Sequence, residues 1–531
     1  MASVKSTAAS SRMISRHWPL VLAIALFVGM EALLLAQVQQ RCGMLVFPLD
    51  DSYIHMAISK NLALHGNVGA TRHEFGFSSS SPLHALMLAT IFRVIGFHIW
   101  VPLVLNGIMA IALLVVVHWI GLRERMGRLI ETVLLTAIVA ALPMAPLALS
   151  GMEHITQTLL DLLLIYLACV ASTREKTATR RGIILLCMLS ACVTTIRYEG
   201  VFVVMAVCAL LTIRRRGGVA ALIAFAGFAS IAAVGMYSVR HGGMFFPNPV
   251  LIKKAANDWH SPMGVLFALG GRAIRKTVSV RALFALLCMA AGLLICRGGP
   301  DAKTRPSRSM LGVLLAIAAL HLQLASTGWF FRYEAYLIGI LAVAVVLEAS
   351  QRVLPRAVAI AGGLVLAGVF LMRGYEAMRL APAACANIRD QQLQMSRFVN
   401  RFYNDSTIVL NDIGAVSLAS DAHIIDLAGL DTNEIARHRI AGTMSSQVLE
   451  SIAQTRRAKL AIVYDEWLAQ IGGPPAAWVR VGEWTIFGNV ICAYPTVTLY
   501  AVDPAEASPL REHLNEFGPM LPGGVVQRLD H

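Results

Sequence analysis

The chain has 531 residues, with 45 Lys and Arg against 31 Asp and Glu for a net charge of +14, and it is 57% hydrophobic and only 14% charged, where soluble domains carry about 25% charged residues. A disordered chain and an ordinary cytosolic enzyme are both excluded, because the apolar excess falls in blocks of about 15 to 20 residues nearly free of charge, which only lipid can solvate. The basic residues sit in short clusters between these blocks rather than in one stripe, a pattern that orients membrane spans and speaks against nucleic acid as a partner.

In chain order, the first apolar block, Leu20 to Ala36, follows Lys5, Arg12 and Arg16, which predicts a cytoplasmic N-terminus and an external loop over 37–100. A cleavable signal peptide is the rival reading, but the block is longer than an h-region of about 7 to 15 residues. Within the loop, Leu83 to Ile95 is too short to span and carries His84 and Arg93, so it predicts a helix lying in the outer interface. Val101 to Ile120 then crosses and puts Arg123, Arg125 and Arg128 inside. Further spans are expected near 129–149, 155–172, 182–196, 201–213, 219–238, 283–297, 309–326, 334–349 and 357–372. They leave every other short basic loop inside: Arg174 to Arg181, Arg214 to Arg216, Arg297 to Arg308, and Arg352 with Arg356.

The expected architecture is therefore an α-helical polytopic membrane protein of about eleven spans over residues 1–373, followed by an extracytoplasmic α/β domain over 374–531. In that tail, charged residues return and short β-rich runs, Thr407 to Leu410, Ala461 to Tyr464 and Val497 to Val502, alternate with helical patterns such as Ile388 to Phe402. The nine cysteines form no CxxC or Cys/His ligand spacing, and no disulfide framework is implied.

Polar residues that sit oddly in such a chain all fall on the predicted outer side: Asp50-Asp51-Ser52-Tyr53-Ile54-His55, Ser150-Gly151-Met152-Glu153, Arg197-Tyr198-Glu199-Gly200, Phe246-Pro247-Asn248-Pro249 with Lys253-Lys254, and Gly328-Trp329-Phe330-Phe331-Arg332-Tyr333. Ionisable groups at a membrane boundary cost energy unless paired or functional, so this convergence points to a site that handles something amphipathic. Each piece also has a plainer reading. The acid pair can favour the dipole of its own helix, Glu153 can cap the helix after it, Arg197 and Glu199 can be a structural pair, and Lys253, Lys254 and Arg332 can snorkel to lipid headgroups.

The order of these motifs, together with the segment Gly76-Phe77-Ser78 to Pro82-Leu83 and the external Asn411-Asp412-Ile413-Gly414-Ala415 and Ile425-Asp426-Leu427-Ala428-Gly429-Leu430, resembles the GT-C superfamily of integral-membrane glycosyltransferases over about residues 20 to 430. The bacterial arabinofuranosyl- and mannosyltransferase-like branch is the most similar. The resemblance implies a bacterial inner-membrane enzyme with its C-terminal domain in the periplasm. It would take a sugar from a polyprenyl-phosphate donor in the outer leaflet and pass it to a glycan, lipid or protein acceptor. The first external loop would supply the catalytic acid, which matches Asp50 or Asp51, with Asp50 preferred as the first of the pair. Ala57 stands where an Arg is usual, with Lys60 kept nearby; His84 replaces an aromatic residue and Pro249 a Thr.

Inverting transfer from a sugar phosphate needs a base for the acceptor hydroxyl and cations for the departing phosphate. An interacting acid pair can serve as the base, through like-charge repulsion, or can hold a divalent cation, and the sequence leaves both open for Asp50 and Asp51. Lys253, Arg332 and Arg197 are the candidates for the phosphate, and Glu153 for orienting the acceptor or a donor hydroxyl. His55, Glu199, Asn248 and Tyr333 complete the set, as neighbours within the same motifs. A polytopic transporter or lipid flippase is the alternative class; it would call for charged residues at matching mid-membrane positions and inverted repeats, and neither is evident.

Overall fold

The computed structural model describes residues 2–173, 179–255, 271, 273–296 and 305–530, with side chains from Arg16 onward and none at 254 and 255. The basic clusters expected at Arg174 to Arg181 and Arg297 to Arg308 fall partly outside these residues. Helices occupy the apolar stretches and the first external loop: α1 (Ala2–Cys42), α2 (Asp50–His65), α3 (Pro82–Ile95), α4 (Val101–Arg123), α5 (Arg128–Ala141), α6 (Met144–Leu149), α7 (His154–Thr173), α8 (Arg180–Ile196), α9 (Gly200–Ile213), α10 (Gly217–Arg240), α11 (Asn248–Ala255), α12 (Ala273–Ser279), α13 (Arg281–Ile295), α14 (Pro306–Leu324), α15 (Ala335–Ser350) and α16 (Arg356–Asp390). The stretch expected at 129–149 is in two pieces, because Pro143 lacks an N–H and crowds the turn before it, so the helix stops at Ala141 and restarts at Met144.

Among the described residues, six helices are long and apolar enough to cross a membrane unaided: α1 from Arg16, α4, α7, α10, α14 and α16 with its continuation to Phe402. The bent pair α12 and α13, with 109° between its halves, makes a seventh. The chain is a multi-pass membrane protein.

It divides into two compact units, the first built from Met1–Leu35, Leu103–Ile231 and Trp259–Arg379. Within this helical unit α15 is buried almost all round, from Ala335 through Val345, as a uniformly apolar helix must be. Its one acid, Glu348, is answered by Arg352 and by the hydroxyl of Ser307 at 2.7 Å.

The second unit joins Ala36–Pro102 and Ala232–Asp258 to Leu380–His531. The boundary expected at 374 is thus met at Leu380, inside α16, and the loop expected over 37–100 folds together with the tail. The tail continues with α17 (Gln392–Phe402), β1 (Thr407–Leu410), α18 (Gly414–Ala419), β2 (His423–Asp426), α19 (Asn433–Ala441), α20 (Ser446–Thr455), β3 (Ala458–Val463), α21 (Asp465–Ala469), β4 (Val479–Ile486), β5 (Thr496–Ala501), α22 (Ala507–Phe517) and β6 (Val525–Leu529). The sheet has the order β2-β1-β3-β5-β4-β6, with β1 parallel to β2 and β3 and the remaining pairings antiparallel.

Alternation along the strands sends side chains to two cores. Ile408, Leu410, Leu460 and Ile462 face one way, against Phe398 of α17, Val416 of α18, Leu514 of α22, and also Ile54 and Ile58 of α2 and Ala85 of α3. Val409, Ala461 and Val463 face the other, against Ile435, Leu449 and Leu468 of α19, α20 and α21. The first external loop therefore supplies part of the covering of the tail's sheet. α3 packs inward through His84, Ala85, Leu88, Ala89 and Phe92 while Leu86, Val94 and Ile95 remain exposed, the two-sided apolar character of a helix at a lipid interface.

Candidate active site

Asp50 is the first residue of α2, which begins after Leu49 without any side-chain cap. Its carboxylate does not serve its own helix. The backbone N–H groups of Gly414 and Ala415, at the start of α18, donate to Asp50 Oδ2 and Oδ1 at 2.7 and 2.9 Å. Glycine is required at 414 by close approach: a Cβ there would collide with the Asp50 carbonyl and stand 2.9 Å from its Cγ.

The turn that ends in Gly414 also carries Asp412, whose Oδ2 lies 2.6 Å from Tyr464 Oη and accepts from Gln392 Nε2 at 2.8 Å. Burial of the carboxyl and the Asp412 charge push Asp50 up to about 8, against the pull of the two N–H donors, and Asp51 adds to the rise. Burial pushes Asp412 up as well, with Asp51 again contributing. Three carboxyls thus share one neighbourhood, two from the first external loop and one from the tail.

His55, one turn further along α2, is buried between α2 and α3, with Ser79 Oγ 3.5 Å from Nδ1 and the ring of His84 at 5.7 Å. Asn248 opens α11 and is wholly buried; its N–H donates to the Phe77 carbonyl at 3.0 Å and its Nδ2 to Asn433 Oδ1 at 3.1 Å. Asn433 Nδ2 in turn donates to the Phe75 carbonyl at 3.0 Å. Asn248 therefore fastens its segment to the loop and the tail, and five residues on, the side chain of Lys253 is exposed.

In the helical unit, Glu153, Arg197, Glu199, Arg332 and Tyr333 come together. Gly151, at a φ of 65°, turns the chain from α6 into α7, and Asn106 Nδ2 holds this turn by donating to the carbonyls of Ala148 and Met152 at 3.2 and 2.9 Å. Arg197, in the turn between α8 and α9, donates from Nη1 to Glu153 at 2.6 Å and in a fork to Glu199, Nε at 3.1 Å and Nη2 at 2.8 Å. Burial alone would raise Glu199, but this guanidinium prevails and holds its carboxyl down to about 2. Arg332 donates to Tyr333 Oη at 3.1 Å and lies over that ring at 4.9 Å, while Arg197 lies 5.7 Å from its centroid.

Arg332 follows an unusual stretch, Gly328 to Phe331, in which four successive residues take positive φ of 82°, 43°, 59° and 60°. Left-handed backbone costs a non-glycine residue about 1–2 kcal/mol. The stretch is pinned by Glu334, which accepts from the Gly328 N–H at 2.7 Å, and by Arg373, which donates to the Phe331 carbonyl at 2.7 Å and pairs with Glu334 at 2.9 Å.

Among the described residues no group of three or more His, Cys, Asp or Glu side chains is placed to hold a metal ion. Both oxygens of Asp50 accept from backbone N–H groups. Sequence reasoning marked the Asn411-to-Ala415 motif without giving it a role, and it missed Gln392 and Tyr464 altogether. An Asp two residues before a Gly that opens a helix was the available signal.

Residues 386–500 match a family described as a domain of unknown function, DUF8728, and no curated protein matches the chain. The structure is similar to that of ArnT from Cupriavidus metallidurans bound to undecaprenyl phosphate, with 12% identity over 91% of this chain and 98% of that one and a TM-score of 0.51. The apo state of the same ArnT gives 12% identity, the same coverage and a TM-score of 0.49. Arabinofuranosyltransferase AftD from mycobacteria gives 14% identity over 90% of this chain and 41% of that one, with a TM-score of 0.44. The first of these likenesses fixes the fold: this is a multi-pass membrane protein with the GT-C fold.

Proposed function

We propose that the protein is a glycosyltransferase that moves a sugar from a polyprenyl-phosphate donor to a glycan, lipid or protein acceptor at the outer face of the bacterial inner membrane, with inversion at the anomeric carbon. The observation that carries this reading is Asp50, a carboxylate at the start of α2 that pairs with no basic side chain among the described residues and is fixed by two backbone N–H groups. The GT-C fold, and the undecaprenyl phosphate bound by ArnT, support the lipid-phosphate class of donor.

In the reaction the acceptor hydroxyl oxygen attacks the anomeric carbon, its proton passes to Asp50, and the bond from that carbon to the phosphate oxygen breaks, releasing polyprenyl phosphate. Arg332 and Lys253 neutralise the charge that builds on the leaving phosphate, Arg332 through a planar fork and Lys253 as a point charge. Arg197 already carries two carboxylates and so serves by holding Glu153 and Glu199 in place. Glu153 orients a hydroxyl of the acceptor or the donor sugar, and Tyr333 sets the two guanidinium planes.

The test is transfer from a lipid-phosphate sugar in nanodiscs. Asp50→Asn is expected to keep expression and donor binding and to lower transfer at least about a hundredfold, the scale of a lost general base. Full activity in this variant sinks the assignment.

A further inference from the structure

We propose that the tail supplies the second half of the base: Asp412 keeps one proton and donates it to Tyr464 Oη, which takes a like charge away from Asp50 and lets that carboxyl, gripped and aimed by the Gly414 and Ala415 N–H groups, give up its own proton and act as the base. The inference rests on the reading of Asp50 as the base and extends it to a residue 362 positions away, Asp412 being a positioning residue.

The hydrogen bonds themselves place the proton. Gln391 Nε2 donates to the carbonyls of Tyr494 and Pro495 at 3.0 and 3.2 Å, so the other end of that amide, Oε1, is an acceptor. Tyr464 Oη lies 2.6 Å from this Oε1 and also 2.6 Å from Asp412 Oδ2. A phenol has one proton. If Tyr464 gave it to an ionised Asp412, Oη and Oε1 would face each other at 2.6 Å with no proton between them, and the Gln392 amide, 3.0 Å from Oε1 and 3.5 Å from Oη, would be left to answer both as well as Asp412. With the proton on Asp412 the chain closes: Asp412 donates to Tyr464, Tyr464 donates to Gln391, and Asp412 Oδ2 still accepts from Gln392 at 2.8 Å.

Asp50 is the opposite case, with two N–H donors on its two oxygens, the arrangement that favours a charged carboxylate. Two carboxyls in such different company divide the roles of acid and base between them. Among the described residues, the other titratable groups that bear on Asp50 include Asp51 and Tyr53 on its own helix and Tyr464 and Cys492 from the tail. None of these four is a cation, and the donors on the Asp50 oxygens are backbone N–H groups. A transferred proton that lands on Asp50 then finds Asp412 already protonated, which keeps the pair from holding two charges in one withdrawn space.

Two variants test this beside Asp50→Asn. Ala415→Pro deletes a single N–H at the second position of a helix, where proline is tolerated and no helical bond is lost. It is expected to move the acid limb of kcat/KM up by about one pH unit, the cost of one lost donor to a carboxylate. Transfer at pH 7 then falls about tenfold and recovers at higher pH, with unchanged dependence on donor concentration. A merely structural role gives a loss that no pH restores. Asp412→Asn is expected to lower the infrared band of protonated carboxyls at pH 7 by one carboxyl and to turn a two-step rise of rate with pH into a single step.

If Asp50→Asn is fully active, the reading of the base has failed. If Asp50→Asn is inactive while the protonated band keeps its full intensity in Asp412→Asn, or while Ala415→Pro keeps the wild-type pH profile, the inference about the tail has failed and the base stands. Should Ala415→Pro not fold, Gly414→Ala perturbs the same contact through its Cβ, and the infrared arm is unaffected.

Discussion

Arg197 and Arg332 lie in the same helical unit and both stack on Tyr333, yet they should answer to substitution differently. Arg197 neutralises Glu153, which is wholly buried, and Glu199. Arg197→Gln leaves those acids without their counter-charge, a loss of about 3–5 kcal/mol, and the expected readout is a fall in thermal stability with little left to assay. Arg332→Gln removes the charge-assisted contact to the donor proposed above, worth roughly 1.5–3 kcal/mol, and should raise the apparent donor constant about ten- to a hundredfold. Arg332→Lys recovers only part of this, since a point charge cannot reproduce a fork. Unchanged donor dependence in Arg332→Gln leaves this buried guanidinium a structural role and the phosphate without it. At this scale the sequence named the chemistry but not the partners. Arg197 with Glu199 was visible as two residues in one turn, whereas Asp50 meets Gly414 across 364 positions, and no local pattern carries that distance.

Among the elements, the turn from β2 into α19 shows how a short sequence closes a larger fold. Asp431 Oδ1 accepts from the Ala70 N–H and the Ser78 hydroxyl, each at 2.9 Å, and Gly76 is packed so tightly on this carboxyl that a Cβ there would collide with it. Burial pushes Asp431 up to about 6 and its neighbour Asp426 up to about 7. A carboxyl whose folded value is raised binds its proton more tightly in the native state. Its stabilising contribution is complete below the unfolded value of about 3.9 and is lost as pH rises through 6 to 7. The unit should therefore unfold at higher temperature at pH 5 than at pH 8. Asp431→Asn keeps an oxygen for both donors and should flatten that dependence, while Asp431→Ala leaves the two donors unmet at roughly 1–3 kcal/mol each. A pH dependence unaltered in Asp431→Asn assigns it elsewhere. The strands show the same division between local and distant information. β1, β3 and β5 were legible because they are runs of apolar, β-branched residues. β4 was not, because Arg480, Gly482 and Glu483 interrupt it and its register shifts between Arg480 and Gly482, and β2 is two isoleucines between His423 and Asp426.

For the whole molecule, the make-up of the second unit constrains how often the chain crosses the membrane. Ala36–Pro102, Ala232–Asp258 and Leu380–His531 form one compact unit and so must lie on one side, which requires an even number of crossings between consecutive segments. Between the first two, among the described residues, only α4, α7 and α10 are long enough to cross unaided, and three crossings would strand Ala232–Asp258 on the wrong side. The helical unit supplies the missing ones. Arg197, after α8, bonds Glu153 at the start of α7, while α8 itself begins at Arg180, just beyond the end of α7 at Thr173. α8 therefore runs the length of α7 and α9 returns, making five, and parity obliges α5 with α6 to be the sixth. At 14, 17 and 14 residues, α5, α8 and α9 fall below the roughly 20 of a relaxed span, a mismatch that local thinning of the bilayer absorbs at modest cost. Six crossings also leave Arg123 to Arg128 and Arg214 to Arg216 together on the inner side, in accord with their charge. The measurement is cysteine labelling by a membrane-impermeant reagent, after the exposed Cys288 and Cys296 are replaced by Ser. Cysteines at 65, 241 and 443, all exposed in the second unit, should react in intact cells, and those at 125 and 215 only after permeabilisation. Reaction at 215 from outside, or protection of 241 beside reactive 65 and 443, breaks the parity.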